Sequence, residues 1–121
     1  MGGTILIADD ERLLRKALYR VLSRAGFSVL MAENGEQAVQ LFQENKTEID
    51  LCILDLHMPC LNGTEALQQI RTIEEDANVL LASGEAQETV WKSCSNSKPN
   101  GILQKPFALN TLLRDIQSFL A

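Results

Sequence analysis

A short apolar run that ends in a carboxylate decides the fold: it reads Leu51-Cys52-Ile53-Leu54-Asp55 and continues as Leu56-His57-Met58-Pro59. Apolar and polar residues do not alternate within the run, which is typical of a strand buried on both faces of a parallel sheet. The later run Val79-Leu80-Leu81-Ala82 has the same character. Both runs therefore predict a sheet that is covered by helices on its two faces.

Apolar runs and amphipathic stretches alternate along the rest of the chain. The predicted strands are residues 4–8, 28–31, 51–54, 79–82 and 102–103. The predicted helices are residues 13–25, 36–43, 64–73, 87–94 and 109–120, and the polar stretch 93–100 is predicted to be a loop. This βα rhythm predicts an α/β fold, a three-layer αβα sandwich around a doubly wound, five-stranded parallel sheet.

Length and charge limit the classes of function. The 121 residues fit one domain, which we expect to occupy residues 4–121, with residues 1–3 as a start segment or a cloning remnant. A net charge of -5 counts against direct nucleic-acid binding, and the apolar runs are too short for a membrane span. The cysteines Cys52, Cys60 and Cys94 have no C-x-x-C spacing, which favours reduced thiols in a cytoplasmic protein.

Polar residues that carry chemistry follow the predicted strands directly: Asp9-Asp10, Asp55, Ser83 and Lys105. In a parallel sheet these positions share the edge outside the carboxyl ends of the strands, where open α/β sheets bind ligands. Three carboxylates gathered there repel one another unless a cation lies among them, and Mg2+ prefers such hard oxygen ligands. Lys105 and Ser83 would offer a charge and a hydrogen bond to a phosphoryl group. The pattern thus predicts a phosphoryl-transfer site.

Taken singly, each of these residues has an ordinary structural interpretation. Asp9 or Asp10 could start the next helix, and Asp55 could end a strand in a turn before Pro59. Ser83-Gly84 is a turn signal, and Lys105-Pro106 marks the end of a strand. Their joint placement at one edge favours the site. His57 and Cys60 are near metal-ligand spacing, but one such pair is too few for zinc.

The motifs resemble those of the receiver domains of two-component response regulators, and the resemblance covers residues 4–120. The motifs are Ile7-Ala8-Asp9-Asp10-Glu11, Leu54-Asp55-Leu56-His57-Met58-Pro59 with Asn62-Gly63, Ala82-Ser83-Gly84, and Lys105-Pro106-Phe107. The resemblance implies the flavodoxin-like, CheY-like (βα)5 topology. The stretch from Gly101 to Phe107 is also similar to the receivers of hybrid sensor histidine kinases, so the chain is expected to be a module of a longer protein.

The resemblance also implies a role for each site residue. It identifies Asp55 as the phosphorylated residue, Ser83 as the switch hydroxyl and Lys105 as the counter-charge of the phosphoryl group, with a cis bond before Pro106. The ligands that it implies for Mg2+ or Mn2+ are Asp9, Asp10, Asp55 and the backbone carbonyl of His57. His57 and Glu85 flank the site and are expected to tune the rate of hydrolysis, while the His57 imidazole lies at the surface.

One position departs from the family pattern. Receivers usually carry Tyr or Phe three residues before the lysine, and Ile102 stands there. We therefore expect the signal to travel through the Ser83 loop and the helix predicted at 87–94, rather than through an aromatic rotamer. Ala108 stands where a Ser or Thr helix cap is common, which is a minor loss.

The implied function is that of a signalling domain rather than an enzyme acting on a separate substrate. It would catalyse its own phosphorylation, from a sensor histidine kinase, a histidine phosphotransfer domain or acetyl phosphate, and its own slow dephosphorylation. A downstream partner or attached module would dock on the last helices and strand, near Trp91, unless Trp91 only contributes packing. We expect a monomer or a phosphorylation-dependent dimer.

Two alternatives remain open on the residues alone. A phosphatase of the haloacid dehalogenase type also uses a strand-end Asp and Mg2+, but it needs a second Asp where His57 stands. The second alternative is a pseudo-receiver, which binds partners without being phosphorylated. Ile102 is the only residue that favours this alternative.

Overall fold

The computed structural model describes residues 3–94 and 97–120, in which five strands and five helices alternate. The strands are β1 (Thr4–Ala8), β2 (Ser28–Ala32), β3 (Ile49–Asp55), β4 (Val79–Ser83) and β5 (Gly101–Gln104). The helices are α1 (Arg12–Arg24), α2 (Gly35–Asn45), α3 (Gly63–Ile73), α4 (Gln87–Ser93) and α5 (Leu109–Leu120). None of the helices within these ranges has the length and hydropathy needed to cross a membrane.

The strands form one parallel sheet in the order β2-β1-β3-β4-β5. Successive residues of the central strands point to opposite faces, so each strand feeds two cores. Leu6, Cys52 and Leu54 pack with α2 and α3, whereas Ile5 and Ile53 pack with α1 and α5. This confirms the predicted α/β class, the three-layer sandwich and the CheY-like strand order.

The ends of several elements differ from the predicted ends for local reasons. β3 begins at Ile49 because its pairing with β1 extends beyond the apolar run, and the carboxylate of Asp50 accepts a hydrogen bond from the Thr4 amide at 2.8 Å. α2 begins at Gly35 because the side chain of Asn34 caps it. α4 ends at Ser93, so the predicted loop 93–100 starts one residue later, and its residues 95 and 96 lie outside the described residues.

The start of α3 presses against the loop that follows β3. Asn62 and Glu65 form a reciprocal capping box, in which each side chain accepts a hydrogen bond from the other residue's backbone amide. The amide of Gly63 donates to the Leu56 carbonyl at 2.9 Å. A Cβ atom on Gly63 would lie 2.6 Å from the Asp55 carbonyl oxygen, closer than real Cβ atoms approach. Glycine at this position therefore lets α3 hold the residues after Asp55 in place.

Replacing Gly63 by Ala is expected to lower the free energy of unfolding by about 1 to 3 kcal/mol, the usual range for overpacking. The added methyl group would meet backbone atoms of Asp55 and Leu56, which cannot move aside as a flexible side chain can. Urea denaturation followed by circular dichroism measures the change. Gly84→Ala is the matched control, because no atom lies within 4 Å of its Cβ position. Equal losses in both variants would contradict this packing argument.

Candidate functional site

The carboxyl ends of the strands bring the predicted site residues together. Asp55 is the last residue of β3, and Ser83 is the last residue of β4. Asp9 follows β1, and Lys105 follows β5. The side chains of Asp9, Asp55 and Ser83 are buried, although polar residues usually lie at the surface. The topology therefore produces the shared edge that the sequence predicts.

The three carboxylates form a compact group of oxygen donors. One oxygen of each of Asp9, Asp10 and Asp55 lies within 4.8 Å of the others. Asp10 is exposed while the other two are buried, so one side of the group faces solvent. Hard oxygen donors with an open side suit Mg2+, which retains several waters and binds phosphate oxygens in its octahedron. Among the described residues this is the only such group of potential ligands, and Cys60 has no part in it.

Lys105 supplies the positive charge of the site. Its Nζ atom lies 2.9 Å from Asp9 Oδ2 and 3.3 Å from Asp55 Oδ1, and it lies 3.9 Å from Glu11 Oε2. The ammonium group therefore bridges the carboxylates that follow β1 and β3. An ammonium group in this position reduces the mutual repulsion of the two carboxylates.

The surroundings change the acidity of Asp55 and Lys105. Burial raises the pKa of Asp55, the charge of Asp9 raises it further, and Lys105 opposes both, so the pKa remains above its ordinary value. Burial alone would lower the pKa of Lys105, but the hydrogen bond and charge of Asp9, together with Asp55, outweigh it and raise that pKa. Ionised Asp55 therefore costs folding free energy at neutral pH. That cost is complete above the raised pKa and disappears as the pH falls from there to the ordinary pKa of an aspartate in the unfolded chain.

The backbone of Asp9 is held on several sides. Its amide donates to the Ala32 carbonyl at 3.2 Å, and its carbonyl accepts from Arg15 Nη1 at 2.7 Å. Asp9 Oδ1 accepts from the Glu11 amide at 2.9 Å, and Glu11 is the N-cap of α1 without a side-chain cap of its own. Arg15 was not predicted to contribute, because a basic residue on a helix gives no sequence signal for a contact with a carbonyl six residues earlier.

Ser83 holds the loop that follows β4. Its Oγ atom accepts a hydrogen bond from the Glu85 amide at 3.0 Å, and its carbonyl accepts from the Lys105 amide at 2.8 Å. The hydroxyl is thus engaged within its own loop, at the carboxyl end of β4.

A chain of side-chain contacts joins the loops after β3 and β4 to the last residue of β5. A ring nitrogen of His57 contacts the Glu85 carboxylate, and Gln104 Nε2 donates to the Glu85 carbonyl. Gln104 Nε2 also lies 3.3 Å from the Ser83 carbonyl oxygen. We call His57, Glu85 and Gln104 the loop bridge. The His57 side chain is 74% exposed, in agreement with the predicted surface imidazole, whereas Gln104 had no sequence signal.

The remaining predicted residues lie outside the acidic group. Ile102 is half-buried and packs against the core that includes α2 and α3, and the Lys105–Pro106 peptide bond is cis as predicted. Trp91 is 44% exposed on α4, and Lys98 Nζ lies 4.9 Å from its ring centroid. All three cysteines are free, in agreement with the reduced thiols that were predicted. Only Cys60 is exposed.

Comparison with known proteins identifies the family. The family model described as the response regulator receiver domain matches residues 5–117. The autoinducer 1 sensor kinase/phosphatase LuxN of Vibrio campbellii is 34% identical over 97% of this chain and 13% of its own length. The response regulator MprA of a Mycobacterium species is 34% identical over 99% of this chain and 51% of its own length. The chain therefore spans about half or less of these relatives.

A solved structure extends the similarity to three dimensions. A chain of the CheX–CheY–BeF3–Mg2+ complex from Borrelia burgdorferi superimposes with a TM-score of 0.90 at 27% identity, covering 98% of this chain and 90% of that one. The family match covers nearly all of the sheet and the helices, including the strand ends that carry the acidic group. This protein belongs to the response regulator receiver domain family, whose members accept a phosphoryl group in two-component signalling.

Proposed function

We propose that Asp55 is the residue that accepts the phosphoryl group. The observation that carries this proposal is the clustering of one oxygen each from Asp9, Asp10 and Asp55 within 4.8 Å, with Lys105 between two of them. Asp55 ends the central strand β3, so its carboxylate lies between the groups contributed by β1 and β5. The donor is a phosphohistidine of a sensor histidine kinase or of a histidine phosphotransfer domain, or a small acyl phosphate.

The transfer needs no residue beyond those at this edge. A carboxylate oxygen of Asp55 attacks the phosphorus atom while the bond from phosphorus to the donor imidazole nitrogen breaks. The electron pair of that bond stays on the nitrogen, and the proton on the other ring nitrogen of the donor makes the leaving imidazole neutral. The product is an acyl phosphate on Asp55 together with a free imidazole on the donor. Because one in-line displacement both forms and breaks the bonds to phosphorus, the contribution of the protein is positioning and charge stabilisation.

The ligand set fits a divalent cation. Asp9, Asp10, Asp55 and the backbone carbonyl of His57 would hold Mg2+ or Mn2+, which when bound neutralises charge on the transferring group. Three carboxylates that lie this close without a second cation would repel one another, which supports the assignment. BeF3 and Mg2+ are both present in the Borrelia complex that superimposes on this chain, which also supports it.

Phosphorylation would change the contacts of Lys105 and Ser83. The ammonium of Lys105 would exchange an Asp55 oxygen for a phosphoryl oxygen, and the Ser83 hydroxyl would leave the Glu85 amide to donate to the phosphoryl group. Movement of Ser83 pulls on Glu85, which the loop bridge ties to β3 and β5. With Ile102 in place of an aromatic residue, the change reaches the surface through this loop and α4.

Slow hydrolysis of the acyl phosphate would return the domain to its resting state. Water must reach phosphorus from the side of the site that faces solvent. The side chains of His57 and Glu85, which stand two residues after Asp55 and Ser83, contact each other at the surface. We assign the tuning of the autodephosphorylation rate to this pair, because its two polar side chains follow Asp55 and Ser83 closely in the chain and contact each other across the two loops.

The domain, residues 4–121, would transmit its signal to a downstream partner or attached module that docks on α4, β5 and α5. We place it in the cytoplasm, as a monomer or a phosphorylation-dependent dimer, without direct contact with nucleic acid or membrane. The sensor kinase relative and the Gly101 to Phe107 stretch support an origin in a hybrid histidine kinase.

Acetyl phosphate with Mg2+ is expected to add one phosphoryl group to the wild-type protein and none to Asp55→Asn, because the amide has no nucleophilic oxygen anion. Intact-protein mass spectrometry measures the adduct, and hydroxylamine should release it as expected of an acyl phosphate. Asp76→Asn is the control, since Asp76 is exposed and lies outside the acidic group.

Equal labelling of wild type and Asp55→Asn would show that another residue accepts the group. Rapid release of inorganic phosphate without a detectable adduct would favour a phosphatase, and the complete absence of labelling would favour a pseudo-receiver.

Lys105→Ala is expected to bind Mg2+ as tightly as the wild type or more tightly, because the competing ammonium group is gone. It should nevertheless lose the response of α4 to beryllium fluoride, because the variant has no ammonium group at position 105 to bind the phosphoryl mimic. Amide NMR shifts of α4 and Mg2+ titration measure the two effects. Lys46→Ala, at the exposed C-cap of α2, is the control. An unchanged α4 response in Lys105→Ala would contradict the role given to Lys105.

A further inference from the structure

The outer face of α1 concentrates positive charge in an otherwise acidic protein. α1 contains five of the 11 Lys and Arg residues and none of the 16 Asp and Glu residues. The rest of the chain, with six basic and 16 acidic residues, carries a net charge of -10. We define the basic face as the exposed residues Arg12, Lys16, Tyr19, Arg20 and Arg24 of α1 with the adjacent Met31 of the edge strand β2.

The charges of the basic face are unfavourable for α1 itself. Arg12, Lys16, Arg20 and Arg24 are spaced four residues apart, and like charges at this spacing destabilise a helix. Arg12 also lies in the first turn, at the positive end of the helix dipole. Among the described residues none of these four has an ion-pair partner, whereas Arg15 pairs with Glu33 at 3.7 Å. Positions that break local rules in this way are expected to be functional.

The basic face also contains apolar surface. Tyr19 is 46% exposed and Met31 is 40% exposed. They line a groove of about 420 Å³ together with Lys16, Arg20, Ser23 and Arg24. Aromatic residues, Met and Arg are enriched in protein–protein interfaces, whose centres are depleted of other charges. The groove thus offers an apolar anchor point surrounded by cations.

We propose that the basic face binds an acidic segment of a protein partner, with an apolar side chain of that segment in the groove beside Tyr19 and Met31. The negative charges of the segment would neutralise Lys16 and Arg20, because α1 itself contains no acidic residue. The 13 residues of α1 span about 20 Å, which suits a few helical turns of a partner.

The surrounding surface favours a short acidic segment over an extended polyanion. Glu33 and Glu44 line the adjoining groove next to Arg12, so a nucleic acid or an anionic membrane that reached beyond α1 would meet negative charge. Phosphate backbones are bound by Lys and Arg residues, and outside α1 the chain has six of these against 16 Asp and Glu. The basic face does not use the carboxylates or Lys105, so the inference stands independently of the phosphorylation chemistry.

A peptide titration tests the inference. The probe is a synthetic helical peptide with Glu at every fourth position and Leu beside each Glu, and the same peptide with Lys in place of Glu is its control. Amide NMR shifts upon addition of the Glu peptide should centre on α1 and β2 and should weaken with salt. Lys16→Glu/Arg20→Glu should bind about tenfold more weakly or worse, because like charges then face each other. Arg114→Glu, an exposed reversal on α5, should bind as the wild type does.

The double variant also separates binding from folding. Its new acidic side chains lie four residues from Arg12 and from Arg24, so the variant should unfold at the same temperature as the wild type or a higher one. Its labelling by acetyl phosphate should be unchanged. Failure of the Glu peptide to bind, or an equal loss of binding in Arg114→Glu, would overturn the proposal. Tighter binding of single-stranded DNA or phosphatidylserine vesicles than of the peptide would also overturn it.

Discussion

Repulsion among three carboxylates at one edge of the sheet is the constraint on which the rest of the structure depends. Asp9 and Asp55 are buried at the carboxyl ends of neighbouring strands, and Lys105, which follows the edge strand β5, reaches both. Burial and the charge of Asp9 keep the pKa of Asp55 above its ordinary value despite that lysine. The folded state therefore holds a carboxylate whose ionised form is destabilised at neutral pH, and such perturbed carboxylates cluster at functional sites.

The fold tolerates this group because its surroundings are rigid. The close approach of Gly63 to the Asp55 carbonyl, and the two hydrogen bonds on the Asp9 backbone, keep the carboxylates from moving apart. The basic face of α1 is a second group of like charges, and its positive sign is opposite to that of the carboxylates. Both groups of like charges are unfavourable in the isolated domain, and a ligand of opposite charge would relieve the repulsion within each group. Any ligand that binds only the folded state also stabilises that state.

The order of elements and the shared edge could be predicted, because apolar runs and helical periodicity are local properties of the sequence and parallel topology places all strand ends together. Contacts that depend on how far a side chain extends across the fold could not be predicted from the sequence. Nothing in the sequence indicated that Arg15 holds the Asp9 carbonyl or that Gln104 reaches Glu85. The roles of Asp55, Ser83 and Lys105 came from motif resemblance, and their proximity follows from the fold, whereas their chemistry stays a prediction.

The titration of the Asp55 carboxyl group tests the account most directly. Its 13C chemical shift can be followed with pH in a labelled sample and assigned by the signal that disappears in Asp55→Asn. Without Mg2+ we predict a midpoint above the ordinary aspartate value of about 3.9, because burial and Asp9 favour the protonated form. With saturating Mg2+ the midpoint should fall, because the cation stabilises the carboxylate. An ordinary midpoint that does not change with Mg2+ would contradict the account.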